Sequence, residues 1–260
     1  MNNYYNQSGY SVKVEWGQRG AREAAQRGDI IVIVDVLSYS STVAAALHHG
    51  AQVYPFPPPN NEKAKEYAAS LGAEMVLGRA EAERTGGYTL SPVSFKRDDR
   101  DRKFVLCSLN GAACTEAAKA VPALLIGSLV NADVAAKAAH DQQKKTGRDI
   151  TIVPCGEQWE DPHHDENGMR PGIEDYLGAG AILASLEGTF SPEAEVCAAS
   201  FAACQHNLEQ LITQSGSGRE LVERGYGADV EFCRCLNTLE QVPVLYNGCF
   251  VNYSSFLTVK

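Results

Sequence analysis

At 260 residues, 44% of them hydrophobic and 21% charged, the chain is long enough for one large domain or two small lobes, with the composition of a soluble globular protein. Its formal charge of −9 excludes the basic stripe of a nucleic-acid-binding surface, so an anionic ligand must be held by local groups or a metal, against the overall field. No apolar run approaches the ~20 residues of a membrane span, and the polar start MNNYYNQSGYSVKVEWGQRG has no apolar signal core, which predicts a cytoplasmic protein.

In chain order, Ser11 to Trp16 alternates like a half-exposed strand, and Gly20 to Arg27 reads as a short helix or turn. Ile30 to Val34 is an unbroken β-branched run, the signature of a strand buried on both faces, and Asp35 stands at its carboxyl end. The hydroxyls Ser40, Ser41 and Thr42 follow, then an Ala-rich helix closed by Gly50. Gln52 to Phe56 is a second strand stopped by Pro57-Pro58-Pro59, and a helix capped at Asn60 or Asn61 runs to Leu71. Glu74 to Leu77 is a third strand; Arg79 to Lys96 reads as a long irregular segment, and Asp98 to Lys103 as a solvated charged turn.

Phe104 to Ser108, Ala123 to Ile126 and Ile150 to Pro154 are further strands, the first two followed by Ala-rich helices. Gln158 to Pro171 is polar and irregular. Gly172 to Leu186, Glu193 to Cys204, Asn207 to Thr213 and Ser217 to Gly225 are helical, whereas Asp229 to Leu236 and Val242 to Leu245 read as late strands. Strands alternating with Ala-rich helices predict an α/β fold with a mostly parallel or mixed sheet and helices on both faces. The chain is taken as a single domain, 1–260, with a division into two lobes near 150–172 as the alternative.

Cysteines 107, 155, 197, 204 and 233 fall in apolar segments and read as reduced core thiols, while Cys233-Arg-Cys235 lacks zinc-knuckle spacing and a second pair. Strand ends carry the chemistry. Asp35 to Thr42, Ser108 to Ala112, Gly127 to Asn131 and Cys155 to Glu157 each turn from a buried strand through small or polar residues, and in an open parallel sheet such ends share one edge. Gly111, Gly127 and Gly156 let backbone N–H groups approach an anion; none of the turns is a P-loop or a dinucleotide fingerprint. The acids at that edge, Asp35, Glu157, Glu174 and Asp175, are hard oxygen ligands of the kind that suit Mg²⁺, although Glu174-Asp175 also sits where acids favour a helix start. Two other sites are weaker: Cys155 with His163 or His164 as its base, and the HHDE cluster His163 to Glu166 as a metal loop.

The motifs DVLSYSST, SPVSF, CSLNGA, GSLVNADVAA, IVPCGE, IEDYLGAGAIL and SGRELVERGYGADVEFC, with a closing VP, resemble the 2-phosphosulfolactate phosphatase (ComB-like) family over roughly Ile30 to Pro243. That resemblance implies a three-layer α/β/α fold and a Mg²⁺-dependent conversion of 2-phosphosulfolactate to sulfolactate and phosphate. By position, Asp35, Asn110-Gly111, Asn131, Glu174-Asp175, Asp229 and Ser91-Pro92 match residues of the family pattern. Ser38 and Tyr39 stand where the family usually shows Arg and small residues, which leaves Arg79, Arg84 or Arg219 as the candidate cation for phosphate or sulfonate oxygens.

The reading is therefore a Mg²⁺-dependent phosphatase acting on 2-phosphosulfolactate or a similar small anionic phosphoester, and a homodimer or higher homo-oligomer. Asp35, Glu174 and Asp175 hold the metal, and Glu157 or Asp175 takes the proton of the attacking water. Ser40, Ser41, Thr42, Asn110, Gly111, Ser128, Asn131, Gly156 and Arg219 bind substrate. The alternatives are a non-catalytic anion-binding relative of that family and a Cys155-dependent hydrolase.

Overall fold

A computed structural model describes residues 4–59, 62–165 and 168–259. The expected cap at Asn60 or Asn61 and Glu166 of the HHDE cluster lie outside the described residues. The strands are β1 (Val12–Val14), β2 (Ile30–Val34), β3 (Gln52–Phe56), β4 (Glu74–Val76), β5 (Lys103–Cys107), β6 (Leu124–Gly127), β7 (Ile150–Pro154), β8 (Glu157–Gln158), β9 (Met169–Arg170), β10 (Pro243–Tyr246) and β11 (Cys249–Asn252). The helices are α1 (Gly17–Arg27), α2 (Tyr39–His48), α3 (Glu62–Leu71), α4 (Arg79–Thr85), α5 (Gly111–Ala118) and α6 (Ala132–Thr146). They continue with α7 (Ile173–Leu183), α8 (Pro192–Cys204), α9 (Leu208–Gln214), α10 (Gly216–Glu223), α11 (Gly227–Cys233) and α12 (Tyr253–Val259). No helix among the described residues is long and apolar enough to cross a membrane.

The main sheet has nine strands in the order β1-β7-β2-β6-β10-β11-β3-β5-β4, and β8 and β9 form a separate ribbon. Strands β1, β7, β2 and β6 are parallel to one another, as are β3, β5 and β4. Between these blocks lies the β10–β11 hairpin, antiparallel to its neighbour on each side, so the two blocks run in opposite senses. The sheet is thus mixed, and the end of β5 is not on the same edge by direction as those of β2, β6 and β7.

Strand β2 is buried on both faces, as its β-branched run predicts. Val32 and Val34 join one core with Ala132, Ala135, Leu177 and Ile182 of α6 and α7; Ile31 and Ile33 join another with Ala21 of α1, Val43 of α2 and Ala112 of α5. Full burial of each such side chain is worth about 1.5–3 kcal/mol. Helix α2 touches β3, β6, β10 and β11, across the join between the blocks, and is buried from Tyr39 to Leu47.

Several expectations are corrected. Asp229 to Leu236 is no strand: Asp229, Val230 and Cys233 form the buried stripe of α11, a helical spacing that the β-favouring Val, Phe and Cys conceal. The segment after Arg79 is not wholly irregular, because α4 occupies its start and ends at Gly86. Strand β1 is not half exposed, for Lys13 is only 1% exposed. Its Nζ lies 2.6 Å from Asp149 Oδ2 and 3.7 Å from Asp29 Oδ1, and Asp29 is itself 3% exposed. Lys13→Ala would leave Asp29 with Arg27 as its remaining cation, so a loss of about 3 kcal/mol is expected; a urea midpoint equal to that of the natural protein would contradict it.

Candidate functional site

The end of β2 delivers Asp35 into a buried position, 5% exposed, where backbone donors from two elements hold its carboxylate. The Tyr39 N–H at the start of α2 donates to Oδ1 at 3.0 Å, and the Gly111 N–H at the start of α5 donates to Oδ2 at 3.1 Å. Gly111 is required for that approach: a Cβ there would lie 2.2 Å from Tyr39 Cδ1. Asp175, on the first turn of α7, is tied in the same way, accepting from the N–H groups of Val36 at 2.7 Å and Gly156 at 2.9 Å. Gly156 takes a left-handed φ of +69°, and a Cβ would meet the Arg170 carbonyl at 2.7 Å.

Glu157 follows on β8. Its Oε2 accepts from Asn110 Nδ2 at 2.9 Å, and its Oε1 lies 3.3 Å from the Ser217 hydroxyl. That hydroxyl also donates to Glu174 Oε1 at 2.5 Å, and one O–H cannot satisfy both carboxylates. Glu174 Oε2 is buried with no partner, as is Asn110 Oδ1.

Four acids therefore gather where β2, β7, α5, α7 and α10 meet, and burial dominates the titration of Asp35, Glu157 and Asp175. Burial pushes the Asp35 carboxyl up to about 6, with repulsion from Glu174 adding to it. Glu157 is pushed up to about 7 by burial and by the charges of Asp35 and Glu174. Asp175 is held well above the carboxylate range by burial, then by Asp35 and Glu174. The cluster behaves as one coupled unit.

A cavity of about 360 Å³ opens onto this cluster, with Asp35, Ser38, Arg79, Asn110, Glu157 and Ser217 among its polar lining and Leu37, Leu77, Leu90 and Leu221 among its apolar walls. The expected strand ends do converge here in part: Asp35, Asn110 and Glu157 line the cavity, and Glu174 touches it through Ser217.

Other expected ligand groups face elsewhere. Ser40 Oγ accepts from the Asp35 N–H at 2.9 Å and donates to the Ile33 carbonyl, and Ser41 Oγ bonds the Val36 carbonyl and, at 2.7 Å, Ser128 Oγ. Thr42 Oγ1 is buried without a partner. Asn131 receives the Ser128 N–H and donates to the Gln241 carbonyl. Ser40 and Ser41 lie inside a helix buried on all sides and bond the protein's own backbone rather than a ligand, and Thr42 is enclosed in the same helix. The Gly111 N–H is likewise taken by Asp35 and Ser108, and that of Gly156 by Asp175.

Arg219 and Arg84 are exposed and off the cavity, whereas Arg79 lines it. Cys155 is 2% exposed and burial pushes its thiol well above its ordinary range, while His163 and His164 are exposed, so nothing supports a thiolate there. Ser217 is the residue that sequence reasoning misses; its only signal is the Ser-Gly-Ser-Gly run 215–218 at a helix start.

The family model for 2-phosphosulpholactate phosphatase matches residues 18–248. A 2-phosphosulfolactate phosphatase of Methanothermobacter thermautotrophicus is 30% identical over 228 residues, 87% of this chain and 91% of the relative. One of Methanocaldococcus jannaschii is 28% identical over 229 residues, 84% of this chain and 89% of the relative. The match runs through every element that supplies the acid cluster, and the chain belongs to the 2-phosphosulpholactate phosphatase family.

Proposed function

We propose that the protein is a Mg²⁺-dependent phosphatase that hydrolyses 2-phosphosulfolactate or a similar small anionic phosphoester. One observation carries the reading: the cavity floor is a cluster of buried carboxylates in which Asp35, Glu157 and Asp175 are raised by burial and neighbouring charge, and the Gly111 and Gly156 N–H groups are already taken by Asp35 and Asp175. Such a floor repels a phosphoryl dianion unless a cation stands between them.

The donor set fits a hard divalent cation. It is all oxygen, and Glu174 Oε2 is a buried acceptor without a partner. Among the described residues no three Asp, Glu, His or Cys side chains are grouped to hold a metal ion. Mg²⁺ would need only one or two of these carboxylates, its remaining positions going to water and substrate oxygens. Glu174 and Asp35 are the residues that would hold it, and when bound it would neutralise charge on the phosphoryl oxygens.

The chain's own groups do the rest. Glu157, with its carboxyl up to about 7 and held by the Asn110 amide, accepts a proton from the water that attacks phosphorus; as the ester P–O bond breaks, that proton passes to the departing alkoxide oxygen. Asp175, with both oxygens bonded to backbone N–H groups, ties α7 to the ends of β2 and β7 and is not the base. The apolar walls limit water around the ester.

The test is phosphate release from 2-phosphosulfolactate with Mg²⁺ and again after EDTA. Release that EDTA stops and Mg²⁺ restores is expected. Release indifferent to EDTA would remove the metal from the proposal, and no release from folded protein would overturn the phosphatase reading.

A further inference from the structure

Arg79 is built into the cavity wall with unusual care for an arginine at the start of a short helix. Its side chain is 15% exposed. Nη2 donates to Asp229 Oδ2 at 2.9 Å, to the Leu90 carbonyl at 2.8 Å and to Ser38 Oγ at 2.9 Å. Asp229 is 2% exposed, and its other oxygen accepts from Ser91 Oγ at 2.5 Å. The guanidinium carbon also stands 4.9 Å over the Tyr226 ring.

All three hydrogen bonds are made by Nη2, whose two N–H groups share the three acceptors, and Tyr226 covers the guanidinium face. The Nε–H, by contrast, is buried and has no acceptor. A charged donor left unpaired in a wall shared with Asp35, Asn110 and Glu157 points to an acceptor that arrives with a ligand. A cation held by Glu174 and Asp35 would take the phosphoryl group at the acid cluster, which leaves a different oxyanion of the same molecule as the direct partner of Arg79.

We infer that Arg79 binds the non-transferred acid group of the substrate, a carboxylate or sulfonate on its carbon skeleton, and that Asp229 and Ser91 are positioning residues that aim it. The inference rests on the phosphatase reading, yet it has its own test.

Phosphate release is measured for the natural protein, Arg79→Ala, Arg79→Lys and Asp229→Asn on three esters: 2-phosphosulfolactate, 2-phospholactate and isopropyl phosphate, the last with no acid group besides the phosphate. Arg79→Ala is expected to raise KM for one or both acid-bearing esters about 10- to 100-fold, with kcat within a few-fold and isopropyl phosphate unaffected. Arg79→Lys keeps a cation opposite Asp229 but loses Nε, so it should show the same selective loss even if the Ala protein folds poorly. Asp229→Asn should move the same KM values in the same direction. Loss on both acid-bearing esters identifies the carboxylate, which both carry, and loss on 2-phosphosulfolactate alone identifies the sulfonate.

A KM unchanged, or raised equally for all three esters, would overturn the inference while leaving the phosphatase reading intact. If the natural protein releases phosphate from none of them, that reading fails, and calorimetric binding of sulfolactate decides for Arg79: at least tenfold weaker binding in Arg79→Lys supports it, and equal or absent binding overturns it.

Discussion

Glu174→Gln is expected to make the metal-free protein more stable and the enzyme nearly inactive. Glu174 Oε1 accepts from Ser217, and Oε2 faces no protein partner. A glutamine can keep the first contact and place its amide where Oε2 stands, so no hydrogen bond is lost and the fold is preserved. The change removes one negative charge from a group in which Glu174 helps to raise Asp35, Glu157 and Asp175. Relief of that repulsion should add on the order of 1 kcal/mol in EDTA. Turnover should fall by about 10²- to 10³-fold, because the amide is a poor partner for a cation at the point where phosphoryl charge is neutralised. Thermal denaturation in EDTA and phosphate release with Mg²⁺ read the two effects separately. Turnover like that of the natural protein would take Glu174 out of the metal site.

The second large effect concerns pH. Asp35 and Glu157 titrate near 6 and 7 in the folded chain, above the ordinary values of 3.8 and 4.5. Over the interval between those values the folded state binds more protons than the unfolded state, so stability falls as pH rises. The loss runs from about pH 4 to about pH 7 and amounts to about 3 kcal/mol, less than the sum for two independent groups because the acids are coupled. In EDTA the melting temperature at pH 8 should therefore lie about 5–10 °C below that at pH 5. Mg²⁺ should recover most of that difference at pH 8 and add little at pH 5, where protons already neutralise the cluster. A metal-free melting temperature flat across this range would contradict the buried charge; an equal Mg²⁺ effect at both pH values would place the metal elsewhere.

Much of this site is legible in the sequence, for reasons that can be named. The run Ile30 to Val34 has only one comfortable environment, a central strand, so Asp35 had to emerge at a strand end beside a helix start. Asn110-Gly111 and Cys155-Gly156-Glu157 follow buried strands in the same way, and they do meet Asp35. What the sequence conceals is direction. Ser40, Ser41 and Thr42 look like ligand groups at a turn, but the helix has already begun at Tyr39 and is enclosed, so their hydroxyls turn inward. Lys13 alternates with valines as an outward residue would, and only the placement of Asp29 and Asp149 shows that it is inside. Ser217 and Arg79 act through contacts with residues far along the chain, Glu157 and Asp229 among them, and no local pattern records such pairs.

The β10–β11 hairpin has a consequence for how the chain reaches its folded state. Among the described residues, Pro243 to Asn252 are the only backbone link in the sheet between the block that carries Asp35 and the block whose β5 leads into Gly111. Until that late segment is inserted, β6 and β3 each present a bare inner edge, the kind of surface that pairs with other chains. Its contacts span most of the sequence, which makes closure of the sheet a slow, non-local step. The order of synthesis then matters: every acid of the cluster leaves the ribosome before the hairpin that brings the two halves together, and the sheet beneath the cavity is completed last.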